Sequence, residues 1–135
     1  MFETKFVVIV RDDLAVWQKL NVTAFLATGV AAGKPEIIGE TYLDGAGNVY
    51  NPMSIQPIIV LSADSAALAK IHQRTLERAV PASLYIEPMF TTGHDAANRE
   101  IFSKFVPEEA EIAGIAFHTD RKVADKISKG ARMHS

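Results

Sequence analysis

Residues 6–10, FVVIV, are a continuous apolar run, β-branched after the first position and flanked by Lys5 and Arg11. The run is too short for a helix, so it reads as a strand buried on both faces. The spacing then lengthens. Trp17, Leu20, Ala24, Ala27 and Ala31 share one stripe, with Phe25 and Leu26 widening it. That pattern predicts a helix over roughly 15–32 packed on a sheet, capped by Asp13 and stopped at Gly33-Lys34-Pro35. Between 36 and 55 the pattern breaks into EIIGETYL, DGAGN and VYNPM, two short strands around a glycine-rich turn. PIIVLSA (57–63) is again a buried strand, and Asp64-Ser65 caps a helix over 65–79 with Leu68, Ile71 and Leu76 inward. SLYIE (83–87) is a strand stopped by Pro88, 94–105 is helical, EIAGIAF (111–117) is a strand, and 120–130 is a helix closed by Gly130.

This order of elements implies one α/β domain over residues 1–135. The expected architecture is a three-layer sandwich: a mixed or mostly parallel central sheet, helices on both faces and an inserted β-hairpin. No repeat, linker or low-complexity tract divides the chain.

A chain of 135 residues, 48% apolar and 22% charged, can build one real core. It has no cysteine, which excludes a disulfide framework, a thiol nucleophile and a thiolate metal site. The first residues carry too short an apolar run for a signal peptide or membrane span, so a soluble cytoplasmic protein without membrane association is expected. A net charge of −2 disfavours tight binding to a nucleic-acid backbone. His72, His94, His118 and His134 have no ligand-like spacing, so no metal is expected. Neither G-x-S-x-G nor a P-loop occurs, and DGAGN lacks the strand-to-helix setting of a dinucleotide site, so no cofactor is expected either.

Two stretches carry candidate chemistry. Asp12-Asp13 ends the first strand, where open α/β sheets place their ligand crevices. Lys19 lies in the first turns of the following helix with Thr23 on the same face, and an ammonium beside free helix N–H groups suits an anion or a developing oxyanion. The plain alternative is a tolerated surface lysine with Asp13 as the cap. The second stretch is YIEPMFTTG (85–93), in which Glu87, Thr91 and Thr92 follow a strand end. If the strands are parallel, both stretches meet at one sheet edge. Otherwise this is an ordinary loop whose threonines cap a helix.

Taken together, KFVVIVRDDL, KLNVTAFLATGVA, QPIIVLSADSAALAKIHQRTLERAVPASLYIEPMFTT and IAGIAFHTDRKVADKISKG resemble the type 2 peptidyl-tRNA hydrolases over about two-thirds of the chain and in the same order. Closer still, the W-Q-K-L-N-V-T-A-F helix start, the inserted hairpin and T-G-x-D-x-A-N-R are similar to a family of small bacterial proteins, the domain of unknown function 2000, placed in the same fold superfamily. The resemblance implies that fold, a homodimer, and catalytic positions at Lys19, Glu87 (a family aspartate lengthened by one methylene) and Thr91. Candidate substrate-binding positions are Asp13, Thr23, Thr92 and Gln56. The departures are as specific. The hydrolases' basic G-K-G-K run becomes Ala15-Val16-Trp17-Gln18-Lys19, their helix glutamine becomes Thr23, and their P-G-(S/T)-x-T loop is replaced by the acidic segment 94–108. Glu111 stands in place of their last threonine.

Two functions follow as expectations. One is hydrolysis of an ester or amide, with peptidyl-tRNA or a small acylated molecule as substrate. In it Lys19 polarises the carbonyl, Glu87 orients water and Thr91 supplies a hydrogen bond. The other is a non-catalytic domain that keeps the cleft to bind a small molecule or peptide.

Overall fold

The computed structural model describes residues 2–109 and 111–133. The first strand, β1, covers Thr4–Arg11 and is followed by helix α1, Val16–Gly33. A 3-10 turn at Pro35–Ile37 leads to the small hairpin β2 (Tyr42–Leu43) and β3 (Val49–Tyr50). Then come β4 (Ile58–Ala63), α2 (Ser65–Glu77) and β5 (Ala82–Ile86). A 3-10 turn at Glu87–Thr91 precedes α3 (Asp95–Ser103), and β6 (Ile112–Asp120), α4 (Arg121–Ile127) and β7 (Arg132–Met133) complete the chain.

The five-stranded sheet has the order β5-β6-β1-β4-β7. Only β1 and β4 pair in parallel; the pairs β1–β6, β5–β6 and β4–β7 are antiparallel. The sheet is mixed, as one form of the expectation had it, and the mostly parallel form is corrected: three of its four strand pairings are antiparallel. The cause is local. The backbone N–H of Glu87 donates to the Glu111 carbonyl at 2.8 Å, so β6 starts at the edge where β5 ends and must run back. Helix α3 is thus an excursion at that edge and not a crossover between parallel strands. Between the pairs Tyr85–Gly114 and Ile86–Ile112 the ladder slips, leaving Ala113 as an extra residue beside the end of β5.

Alternate residues of β1 feed two cores. Phe6, Val8 and Val10 pack with Val22, Leu26 and Val30 of α1. Val7 and Ile9 pack on the other face with Leu68 and Ile71 of α2 and Ala124 and Ile127 of α4. Strand-like alternation with both faces covered explains why every residue of FVVIV is apolar.

The facing of α1 differs from the sequence expectation. Val22, Leu26 and Val30 are its buried stripe, while Trp17, Leu20 and Phe25 stand exposed. The helix is apolar nearly all round, so its own periodicity cannot fix its rotation. In α2 the inward set is Leu68, Ile71 and Thr75, with Leu76 exposed. Asp64 caps α2 as expected, accepting from the Ala67 N–H at 2.8 Å. Asp13 does not cap α1. The N-cap residue is Ala15, whose N–H donates to the Gln18 side chain at 3.0 Å, while the Asp13 carboxylate is engaged by Arg11.

Candidate functional site

Strands β1, β4 and β5 point the same way, so their ends, Arg11, Ala63 and Ile86, lie along one edge. Arg11 closes the buried run of β1 and is itself only 8% exposed. Its Nε donates to Asp13 Oδ1 at 2.6 Å and its Nη1 donates to Glu87 Oε2 at 3.0 Å. Burial acts to lower the Arg11 pKa, but the hydrogen bonds it donates to Glu87 and Asp13, with the charges of those carboxylates, outweigh it and hold the value above the usual one. The guanidinium is therefore neutralised from two sides. Asp12 turns the other way and accepts from Arg132 Nη2 at 3.0 Å.

The candidate residues divide around this pair. Glu87 is half exposed at 45% and belongs to Arg11. Lys19 is half-buried on α1, and its ammonium makes no ion pair or hydrogen bond among the described residues. No direct Lys19–Glu87 ion pair forms. The Thr23 hydroxyl donates back to the Lys19 carbonyl at 2.8 Å, the helix back-bond open to any threonine. Thr91 is exposed and donates to the Pro88 carbonyl at 2.9 Å. The Thr92 hydroxyl lies 2.9 Å from the Met89 carbonyl and also meets the Asn98 side chain. The edge thus brings Asp13 and Glu87 together through Arg11.

Gln56 is not part of that gathering. It is buried at the opposite end of the sheet, where its Oε1 meets Thr4 Oγ1 at 3.3 Å and His118 Nε2 at 3.0 Å. The length of β1, about 3.3 Å per residue, separates it from Arg11. Of the histidines, His94 starts α3, its Nδ1 accepting from the Ala97 N–H at 3.2 Å. His134 lies outside the described residues. Among the described residues no three acidic or histidine side chains gather as metal ligands, and no helix is long and apolar enough to cross a membrane.

Beside this edge runs a groove of about 610 Å³. One wall is the exposed stripe Trp17, Asn21 and Phe25 of α1; the others are β5, an edge strand, and α3. Its floor is an aromatic chain. The Tyr85 and Phe90 ring centroids are 5.0 Å apart, and Phe25–Tyr85 and Trp17–Phe90 are each 6.0 Å apart. Lys19, Glu87 and Thr91 do not line it; Thr92 does. Sequence reasoning passed over Arg11, Tyr85, Phe90 and Asn98. The available signals were a cation closing a wholly apolar strand, and Trp17 and Phe25 recurring at i and i+8 on one helix.

The class this defines is a small mixed α/β domain with an edge-strand groove and a neutralised buried arginine at the sheet edge. Residues 4–135 match the family described as Protein of unknown function (DUF2000), and the chain belongs to that family. A solved structure of a protein of unknown function from Agrobacterium tumefaciens is 65% identical, with a TM-score of 0.98 over 100% of both chains. No curated protein matches.

Proposed function

We propose that the protein is a ligand-binding domain that takes a small organic molecule into the groove between α1, β5 and α3. The observation that carries this reading is the groove itself: about 610 Å³, floored by aromatic rings and edged by polar side chains such as Asn21, Thr92, His94 and Asn98. Those are the usual dimensions and lining of a small-molecule site. The protein has one tryptophan, Trp17, and it stands in the groove wall. A fragment panel read by Trp17 emission and thermal shift tests the proposal. Ligands should displace the emission and raise Tm together, and a panel that moves neither refutes it.

Hydrolysis of an ester or amide is the second reading, favoured by the half-exposed Glu87 carboxylate at the edge from which the Lys19 helix departs. In it Glu87, steadied by Arg11, orients water, Lys19 stabilises the oxyanion and Thr91 completes the site. The acidic edge formed by Asp12, Asp13, Glu87 and Glu111 suits a small acylated substrate better than peptidyl-tRNA. Peptidyl-tRNA and aryl-ester assays on wild type, Lys19→Ala and Glu87→Gln decide it; an inactive wild type ends the reading. The peptidyl-tRNA hydrolase type of fold, homodimerisation and a bacterial setting rest on the sequence resemblance, the three-layer arrangement on the order of elements, and a cytoplasmic setting on the short apolar run of the first residues.

A further inference from the structure

Tyr85 sits at the floor of the groove and is only 5% exposed. Its hydroxyl makes no hydrogen bond among the described residues, in contrast to Tyr50, whose hydroxyl donates to Asp44 at 2.8 Å. Among the described residues the only side-chain polar atom sealed from solvent without a partner is His118 Nδ1. The Tyr85 oxygen is therefore not sealed from solvent, and the residue lines the groove. Its ring packs between Phe25 and Phe90, where a phenylalanine would serve the core equally, so the packing does not require the hydroxyl. A phenol is protonated at neutral pH, and burial pushes the Tyr85 pKa further up, so the hydroxyl has a proton to donate.

The groove's formal charges are one exposed pair, Arg99 and Asp95, and His94 adds an imidazole at the start of α3. Arg99 Nε is 2.7 Å from Asp95 Oδ2, one helical turn away. Thr92 has one hydroxyl proton and two neighbouring acceptors, the Met89 carbonyl and the Asn98 side chain, so it is satisfied within the protein. One half of the Asn98 amide is engaged there, and the other half has no partner among the described residues. The charge balance of the lining matches a neutral guest, and the aromatic floor matches a flat one.

We infer that the groove selects an uncharged, flat heteroaromatic ring that offers a hydrogen-bond acceptor to the Tyr85 hydroxyl. This rests on the ligand-binding reading and narrows it to a chemical class. The Tyr85 hydroxyl orients the ring, the aromatic floor supports it, and the lining, whose Arg99 and Asp95 charges sum to zero, gives its carboxylate analogues no advantage.

The test uses 15N-labelled protein and the single Trp17 indole resonance, with quinoline, naphthalene, 2-naphthoate and cyclohexylmethanol as probes. Quinoline should displace that resonance saturably, and Tyr85→Phe should weaken quinoline about fivefold. Naphthalene binding should stay within about twofold in the same variant, and 2-naphthoate should bind no more tightly than naphthalene. The variant should keep its Tm, since the ring packing is unchanged and the hydroxyl has no partner among the described residues. If it fails to fold, the Tyr85 Cζ resonance of wild type labelled with 13C-tyrosine decides: a larger displacement by quinoline than by naphthalene supports the inference, and an equal or smaller one overturns it. Equal quinoline affinity in a folded Tyr85→Phe, or tighter binding of 2-naphthoate, overturns it. A Trp17 shift with cyclohexylmethanol but with no flat ring overturns the ring class and leaves the groove reading standing. No shift with any probe overturns both.

Discussion

The Arg11 guanidinium lies 3.0 Å from the Glu87 carboxylate across 76 residues of chain, tying the end of β1 to the turn after β5. That contact makes Arg11, and not Lys19, the cation of the sheet edge. Arg11 is the buried partner, while Glu87 and Asp13 reach solvent. Removing the arginine leaves two carboxylates that can rehydrate but deletes a buried stem. We therefore expect Arg11→Ala to cost about 1–3 kcal/mol in urea denaturation. Glu87→Gln keeps an acceptor and leaves Asp13 in place, so it should cost less than about 1 kcal/mol. The reverse ranking would show that the pair does not organise this edge.

His118 gives the fold an acid-sensitive point at the other end of the sheet. Burial lowers its pKa, the Lys34 charge lowers it further, and Glu36 opposes them. Gln56 Oε1 stands 3.0 Å from Nε2, so the neutral ring donates there and its Nδ1 has no partner. With the folded pKa below the unfolded value of about 6.5, the unfolded chain takes up the proton first. Stability is then complete above about pH 7 and falls as pH drops through 6.5 toward the folded pKa. Half-buried His72 is shifted the same way by burial. Chemical denaturation at pH 7.5 and 5.5 should show a smaller loss for His118→Gln than for wild type, with the His72 share retained.

The elements themselves were legible because each has a local cause. An unbroken β-branched run gave β1, Asp64 gave the start of α2, and the glycine-rich turn gave the hairpin. What local pattern could not supply was orientation. Helix α1 is apolar around most of its circumference, so only the space offered by the sheet decides that Val22 points in and Trp17 out. The direction of β6 depends on the Glu87–Glu111 backbone bond, and β7 is two residues long. Lys19 and Glu87 come from elements that meet one edge, as expected, yet their side chains do not pair. The buried partner of Glu87 was already present at Arg11, a cation whose position at the end of an apolar strand required neutralising charge.

Gly114 sets how closely α1 approaches the sheet. A Cβ built there would meet Val22 Cγ1 at 2.6 Å and the Ile9 carbonyl at 3.1 Å. Neither neighbour yields easily, because valine is stiff at χ1 and the carbonyl belongs to the central strand. Gly114→Ala should destabilise the protein by roughly 1–3 kcal/mol through overpacking. The same substitution at Gly33, where a Cβ meets nothing within 4 Å, should be close to neutral by comparison. Tm values of the two variants check the contrast.

The hairpin holds itself together through Asp44. Its carboxylate accepts from the Ala46 and Asn48 N–H groups, each at 2.9 Å, from Asn48 Nδ2 at 2.9 Å and from the Tyr50 hydroxyl at 2.8 Å. The Asn48 side chain, then Tyr50 and the two backbone donors, hold its pKa well below the usual carboxylate range. A depressed carboxylate stabilises above its unfolded pKa and loses that contribution only as pH falls through the folded value. The hairpin should accordingly stay ordered at pH 4, where ordinary carboxylates are protonating. Residues 41–51 are exposed throughout, so little of the core depends on the turn. Asp44→Ala should then speed amide exchange and proteolysis across 40–52 while leaving the global Tm nearly unchanged. A large fall in Tm would mean that the hairpin supports the core and does not merely stand on it.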